Sequence, residues 1–225
     1  MKKLVLISIL FLSVLSSCGV KIYTKKDNVS RRLEVKGNFT AIETRGMTDV
    51  IYQPGSPSIV LKAPKDFLSN INVYIENGTL IIENRENKNL SYVGSSITVT
   101  WDSVSKFTTL GTGDIDIKNL NTNDLTLYTY GTGDIECKES KCTRLYAETG
   151  GTGDIEIKDM NCESAKLITE GTGDIEVVGI KASGLINACT LGTGDIEIIG
   201  TCGALSKDKS GTGSININRL KVGGE

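Results

Sequence analysis

A chain of 225 residues without a single histidine, carrying 25 basic against 27 acidic side chains and a formal charge of −2, lacks the commonest general base at neutral pH. Serine–histidine catalysis and histidine-bearing zinc arrangements are excluded, and the charge gives no reason to expect nucleic acid as a partner.

Met1, Lys2 and Lys3 precede an apolar run from Leu4 to Leu15, too short to cross a bilayer comfortably and shaped like a secretory signal. The following Leu15-Ser16-Ser17-Cys18 resembles the bacterial lipobox, in which the signal is cut before the cysteine and that cysteine is lipid-modified. Residues 1–17 therefore read as a lipoprotein signal peptide and Cys18 as the lipid attachment that makes a membrane the first partner. An ordinary signal cut and an uncleaved anchor are the alternatives. After cleavage 23 basic and 27 acidic residues remain, a formal charge of −4. Residues 18–28 are polar, contain Lys21, Lys25 and Lys26, and read as a lipidated tether. Gly19 rather than aspartate after Cys18 is compatible, by resemblance to lipoprotein sorting in diderm bacteria, with an outer-membrane location, facing either the periplasm or the outside.

Residues 29–225 read as one domain. Its front part alternates like strands between turn signals such as Gly55-Ser56-Pro57 and Asn77-Gly78. Core candidates there are Leu33, Val35, Phe39, Ile42, Val50, Ile59, Leu61, Val73, Ile75, Leu80, Ile82, Ile97, Val99 and Trp101. The segment from Thr44 to Val50 echoes the later Thr-x-Gly-Thr-Gly-Asp-Ile pattern, so the repeat is expected to begin here with longer, irregular rungs.

From residue 111 the pentapeptide Gly-Thr-Gly-Asp-Ile recurs at Gly111, Gly131, Gly151, Gly171 and Gly192, with Gly-Thr-Gly-Ser-Ile at Gly211, so that starts lie 20, 20, 20, 21 and 19 residues apart. Such a period marks a solenoid, whose rungs cannot bury their apolar sides alone and must stack. Ile115, Ile135, Ile155, Ile175, Ile196 and Ile215 align in one column. Ile117, Cys137, Ile157, Val177, Ile198 and Ile217 form another two residues on, the spacing of a strand with one face inward. A second strand precedes each glycine, with inward positions such as Leu125 and Leu127, then threonine from Thr109 to Thr190. The extra residue of the 21-residue repeat is expected between Lys181 and Leu185, and Lys207 and Lys209 in inward columns mark the end of the stack. The fold is thus expected to be an all-β, single-domain parallel β-helix (β-solenoid), regular over 111–225. Its Gly-Thr-Gly corners are expected to exploit positive φ. Strand rather than helix follows each corner, so no phosphate cradle and no cofactor is implied.

Three constellations could carry function. The column Asp114, Asp134, Asp154, Asp174 and Asp195, with a second acidic column from Asp116 to Glu197, sets like charges about 4.8 Å apart, where repulsion costs roughly 1 to 4 kcal/mol. Either corner amides and the column Lys118, Lys138, Lys158 relieve it, or a bridging metal such as calcium does. Cys142 and Cys162 share a column on adjacent rungs, close enough for a disulfide or simply two packed thiols. Tyr128, Tyr146 and Ile168 point outward with Tyr130 at the corner, either a ligand surface or ordinary exposed-strand residues.

Phe39-Thr40-Ala41-Ile42 followed by Gly46, Val50 and Gly55, then Leu80-Ile81-Ile82 and the Gly-x-Gly-Asp-Ile rungs, resembles the putative auto-transporter adhesin, head GIN domain family of bacterial exported proteins. The resemblance implies a parallel β-helix and a cell-envelope location, and carries no catalytic residues; threonine stands where that pattern usually has serine. Carboxylates that recur identically in every rung do not single out a catalytic pair. The chain is therefore read as a non-enzymatic, adhesin-like or structural module with a glycan or protein ligand, and self-association through an open edge as a further option. The competing class is a carbohydrate-active enzyme, a polysaccharide lyase or hydrolase, on the same scaffold.

Overall fold

The structure, a computed structural model, describes residues 28–85 and 94–223. The segment read as a signal peptide, Cys18 and the expected tether as far as Asp27 lie outside the described residues. The rest is a parallel β-solenoid of about six turns. Strands β9 (Ile115–Lys118), β10 (Asn121–Thr129), β11 (Ile135–Thr149), β12 (Ile155–Cys162), β13 (Ser164–Thr169), β14 (Ile175–Thr190), β15 (Ile196–Lys209) and β16 (Ile215–Val222) form the regular part. The isoleucine column is real: Ile115, Ile135, Ile155, Ile175, Ile196 and Ile215 are successive register partners. The first five are at most 1 % exposed, and only Ile215 on the terminal strand is half-buried.

Each turn has three faces rather than the two legible as strands. Along β11 the buried positions run Ile135, Cys137, then Ser140, Cys142, then Leu145, Ala147, Thr149. Spacing is two within a face and three across a corner. The corner after the first face is made by one residue in left-handed conformation: Asn119 (φ 56), Glu139 (φ 53), Asp159 (φ 55) and Gly179 (φ 77). The short second face adds two inward columns, Leu120, Ser140, Met160 and Ile180, and Cys142, Cys162, Ala182 and Cys202. The extra residue of the long repeat falls between Ala182 and Leu185, where the register against β15 slips.

The Gly-Thr-Gly corner works differently from the positive-φ expectation. None of its glycines has positive φ among the described residues. What demands glycine is the approach of the neighbouring rung: a Cβ on Gly131, Gly151, Gly171, Gly192 or Gly211 would stand 2.1 to 2.2 Å from the carbonyl oxygen of the equivalent glycine one rung back. That carbonyl accepts two amides of the next corner, as Gly131 does from Thr152 at 2.9 Å and Gly153 at 3.2 Å. Behind the corner Thr44, Thr109, Thr129, Thr149, Thr169 and Thr190 are fully buried. Their hydroxyls donate to corner carbonyls, as Thr129 does to Gly153 at 2.8 Å and Thr190 to Gly194 at 3.0 Å.

In the front half stack order departs from chain order. Strands β2 (Ala41–Thr44) and β3 (Asp49–Gln53) lie directly on β8 (Lys106–Thr109) and β9, while β6 (Thr79–Asn84) and β7 (Ser96–Thr100) stack beyond them. Thr44 and Val50 occupy the columns of Thr109 and Ile115, as the echoed motif implied. Antiparallel strands close this end: β5 (Ile71–Glu76) on β6, β4 (Ser58–Pro64) on β7, and β1 (Asn28–Leu33) on β4. Phe39, Ile42, Val50, Ile59, Leu61, Leu80, Ile82, Ile97 and Val99 are buried; Leu33, Val35, Val73, Ile75 and Trp101 pack on the core from its margin. At the other end β16 covers β15 only from Ile196 to Cys202, leaving Ala204–Lys209 an uncovered edge with Lys207 and Lys209 exposed.

Because a Cβ on Gly151 would stand 2.2 Å from backbone while one on Gly150 would meet only the exposed Tyr130 ring, Gly151→Ala is expected to cost about 2 to 3 kcal/mol and Gly150→Ala under about 1. Urea denaturation of both variants measures the difference.

Candidate functional site

The corners place one aspartate per rung on the outer surface, and each carboxylate is already engaged. The N–H of Asp134 donates to Asp114 Oδ1 at 2.9 Å, that of Asp154 to Asp134 at 2.8 Å, of Asp174 to Asp154 at 2.7 Å, of Asp195 to Asp174 at 2.7 Å and of Ser214 to Asp195 at 2.6 Å. Asp49 extends the ladder backward by accepting from Asp114 N–H at 3.2 Å. A hydrogen bond to an ionised acceptor is about twice as strong as a neutral one, and here every step offsets the repulsion between stacked carboxylates.

The second acidic column is relieved by cations. Lys138 pairs with Glu136, and Lys158 Nζ lies 3.3 Å from Glu136 and 2.5 Å from Glu156. The hydrogen bond from Lys138 holds Glu136 below the ordinary carboxylate range. Burial, and then the neighbouring charge of Glu136, pushes Asp116 above it. Between the two columns runs an open groove of ≈ 600 Å³. Among the described residues no group of three or more His, Cys, Asp or Glu side chains is placed to hold a metal ion.

Cys142 and Cys162 do occupy adjacent positions in one inward column, between the register pairs Lys141 with Asn161 and Arg144 with Ser164. Both are free, buried thiols in this structure. Burial raises Cys162 to about 11 and, together with the nearby Cys162, raises Cys142 to about 12. Cys142 Sγ rests 3.9 Å from Met160 Sδ, a packing contact between soft atoms.

The tyrosines converge on a residue that sequence inspection passed over. Tyr128 is stacked with Tyr130 (centroids 5.6 Å, 19°) and tilted against Tyr146 (5.5 Å, 56°). Glu148, register partner of Tyr128, is 8 % exposed and lies among them. Tyr130 Oη donates to its Oε1 at 2.7 Å, and Tyr146 Oη donates to its Oε2. Lys106 Nζ sits 5.1 Å over the Tyr128 ring and Lys166 Nζ 5.5 Å over that of Tyr146, each within cation–π range. Ile168, expected outward and exposed, is buried beside Glu148 on the next rung. The only forewarning of Glu148 was its place in the outward column of Tyr128.

Burial first, and then the bonds to Glu148, push Tyr130 and Tyr146 above the ordinary phenol value; burial likewise raises Tyr128. With the folded values raised, the cluster's contribution is intact below about pH 10 and fades as pH climbs through the folded values. Ultraviolet titration should show late-ionising phenols, and Glu148→Gln should advance them. For the ladder, Asp154→Ala removes the acceptor of Asp174 N–H and should cost about 1 kcal/mol, Asp154→Asn less. A chelator should leave the melting temperature of the wild type unchanged.

Comparison with known proteins adds to this geometry. The fold is similar to the crystal structure of a putative adhesin from Bacteroides fragilis at 22% identity, covering 85% of this chain and 97% of that one with a TM-score of 0.69. It is also similar to a putative lipid binding protein from Parabacteroides distasonis (19%, 87% and 99%, TM-score 0.56) and a putative adhesin from the same organism (14%, 84% and 96%, TM-score 0.54). At such identities the likeness is one of fold. The curated proteins contain no match. The model of the putative auto-transporter adhesin, head GIN domain family matches residues 38–183, from just before β2 to within the fourth regular rung. Spanning the echoed first corner and most of the regular corners, that match means the chain belongs to this family.

Proposed function

We propose that the protein is a lipid-anchored binding module of the bacterial cell envelope, acting without catalysis. Cys18 holds it to a membrane, most simply the outer one, and the third face of the solenoid around Tyr128, Tyr130 and Tyr146 meets a glycan or protein ligand. The adhesin-like family and the solenoid fold support the binding role.

The observation that carries the reading is a contrast on the outer surface. The acidic columns recur rung after rung, whereas the tyrosines and Glu148 occupy two neighbouring rungs only. Recognition at one locus needs a feature that the repeat does not duplicate. Aromatic rings fixed through their hydroxyls lose little conformational freedom when a ligand docks, and Lys106 and Lys166 add cationic flanks. Lys207 and Lys209 on the uncovered edge oppose edge-to-edge pairing of copies, which favours ligand binding over self-association as the working mode.

Labelled palmitate should enter the wild type and not Cys18→Ala, and protease shaving of intact cells should release the domain if it faces outward. On a glycan array, Tyr128→Ala with Tyr146→Ala should lower the signal of any bound glycan at least about tenfold, the scale of losing one hot-spot residue. An unchanged signal removes the tyrosine surface from the reading while leaving the anchor intact.

A further inference from the structure

The segment that leads into the closed end of the solenoid differs in charge from the rest of the sequence. Between Lys21 and Lys36 stand six basic and two acidic residues, whereas from Gly37 onward 17 basic face 25 acidic residues. The described part of that basic segment is β1, the outermost strand of the first sheet. Its register runs Arg31 to Leu61, Leu61 to Ile97, Ile97 to Val50 and Val50 to Ile115. Arg31 therefore terminates the inward isoleucine column, and its exposed side chain lies at the mouth of the bore instead of in a sheet surface. Across the mouth is the other edge strand, β5, with Ile71 and Val73. Between the two edges opens a groove of ≈ 500 Å³ whose lining includes Arg31, Arg32, Arg85, Leu33 and Val73, with Glu34 as its one acidic member.

The arginines are available. Among the described residues none of the three makes an ion pair. Arg85 Nε donates to Asn72 Oδ1 at 2.7 Å, which fixes its direction, and Arg32 has only a long contact of 3.5 Å to the Pro57 carbonyl. Planar guanidinium groups match phosphate oxygens in bidentate fashion. Chain length reinforces the match: ten residue steps separate Cys18 from Asn28, a reach of at most about 35 Å, so an anchored Cys18 keeps this end nearest the bilayer.

We propose that the arginine-rimmed end of the solenoid docks on the phosphate headgroups of anionic phospholipids, standing the domain upright with its acidic columns running away from the membrane. The orientation rests on the anchored reading of Cys18; the headgroup contact does not. Repulsion between the acidic columns and the same lipids adds to the torque that sets this direction, and both effects are screened over about 8 Å at physiological salt.

The test uses residues 28–225, because the buried core, from Phe39 to Cys202, lies wholly within them. Co-sedimentation with phosphatidylglycerol–phosphatidylcholine vesicles should exceed that with phosphatidylcholine alone and vanish in 0.5 M salt, the latter a choice of roughly three times physiological ionic strength. Arg31→Gln with Arg32→Gln should lower partitioning about twenty- to thirtyfold, at about fivefold per basic residue. Lys207→Gln with Lys209→Gln, equal in charge but at the far end, should leave it unchanged. Equal losses from both pairs, equal binding to neutral vesicles, or saturable binding of inorganic phosphate that vesicles do not compete for would each overturn the proposal. Palmitate labelling of Cys18 reads the anchor separately, so its failure and that of the docking surface are distinguishable.

Discussion

The closeness with which one Gly-Thr-Gly corner sits on the next governs the rest of the molecule. A carbonyl oxygen stands where a Cβ would need to be, so the rungs cannot slide along the strand direction without collision. The contact is then locked from both sides. Inside, buried threonine hydroxyls reach corner carbonyls; outside, each aspartate accepts the amide of its successor. Register fixed at one corner propagates to all three faces, since a slip of one residue would turn every inward isoleucine out to solvent. The acidic column that looks electrostatically costly is thereby part of the register device, and the amide donors arrive already oriented by the same corner.

Such a stack has no intrinsic stopping point, and the two ends are closed by different means. At the front β5 reverses direction on β6 and β4 on β7, and β1 reverses again on β4, so that the outermost strands are paired antiparallel instead of in the parallel pattern of the repeat. At the rear β16 covers only part of β15, and lysines fill inward columns that hold alanine and threonine on the rung before. Arg31 at the front ends an inward column in the same way. A charged side chain at the end of an apolar column makes further stacking cost a buried charge.

The parts of the fold legible in the chain are those that repeat. The two long faces were legible because apolar residues recur at spacing two next to a recurring pentapeptide, and the echo at Thr44–Val50 correctly located an earlier corner. The short second face was hidden: its left-handed corner is Asn119, Glu139, Asp159 and then Gly179, residues with no common letter, and it has only two inward positions per rung. The order of stacking in the front half was equally hidden. Nothing in a linear pattern says that the rung of β2 and β3 lies between that of β6 and β7 and that of β8 and β9. The role of the corner glycines was legible as a corner and misjudged in cause, because steric approach between rungs and positive φ select the same residue.

The candidate site follows the complementary rule, for it lies where the repeat is broken. Glu148 stands in a column of mixed chemistry that includes Glu43, Thr108, Tyr128, Ile168, Cys189 and Asp208, so periodicity neither singles out this carboxylate nor supplies its partners. A buried carboxylate needs donors, and Tyr130 and Tyr146 provide two phenols in place of a cation. The nearby lysines lie instead over Tyr128 and Tyr146. Holding charge apart in this way gives a patch with aromatic, anionic and cationic elements at fixed separations on a framework whose register cannot drift. A solenoid suits that arrangement: repetition supplies rigidity, and individuality is written only in the outward positions that the stack leaves free.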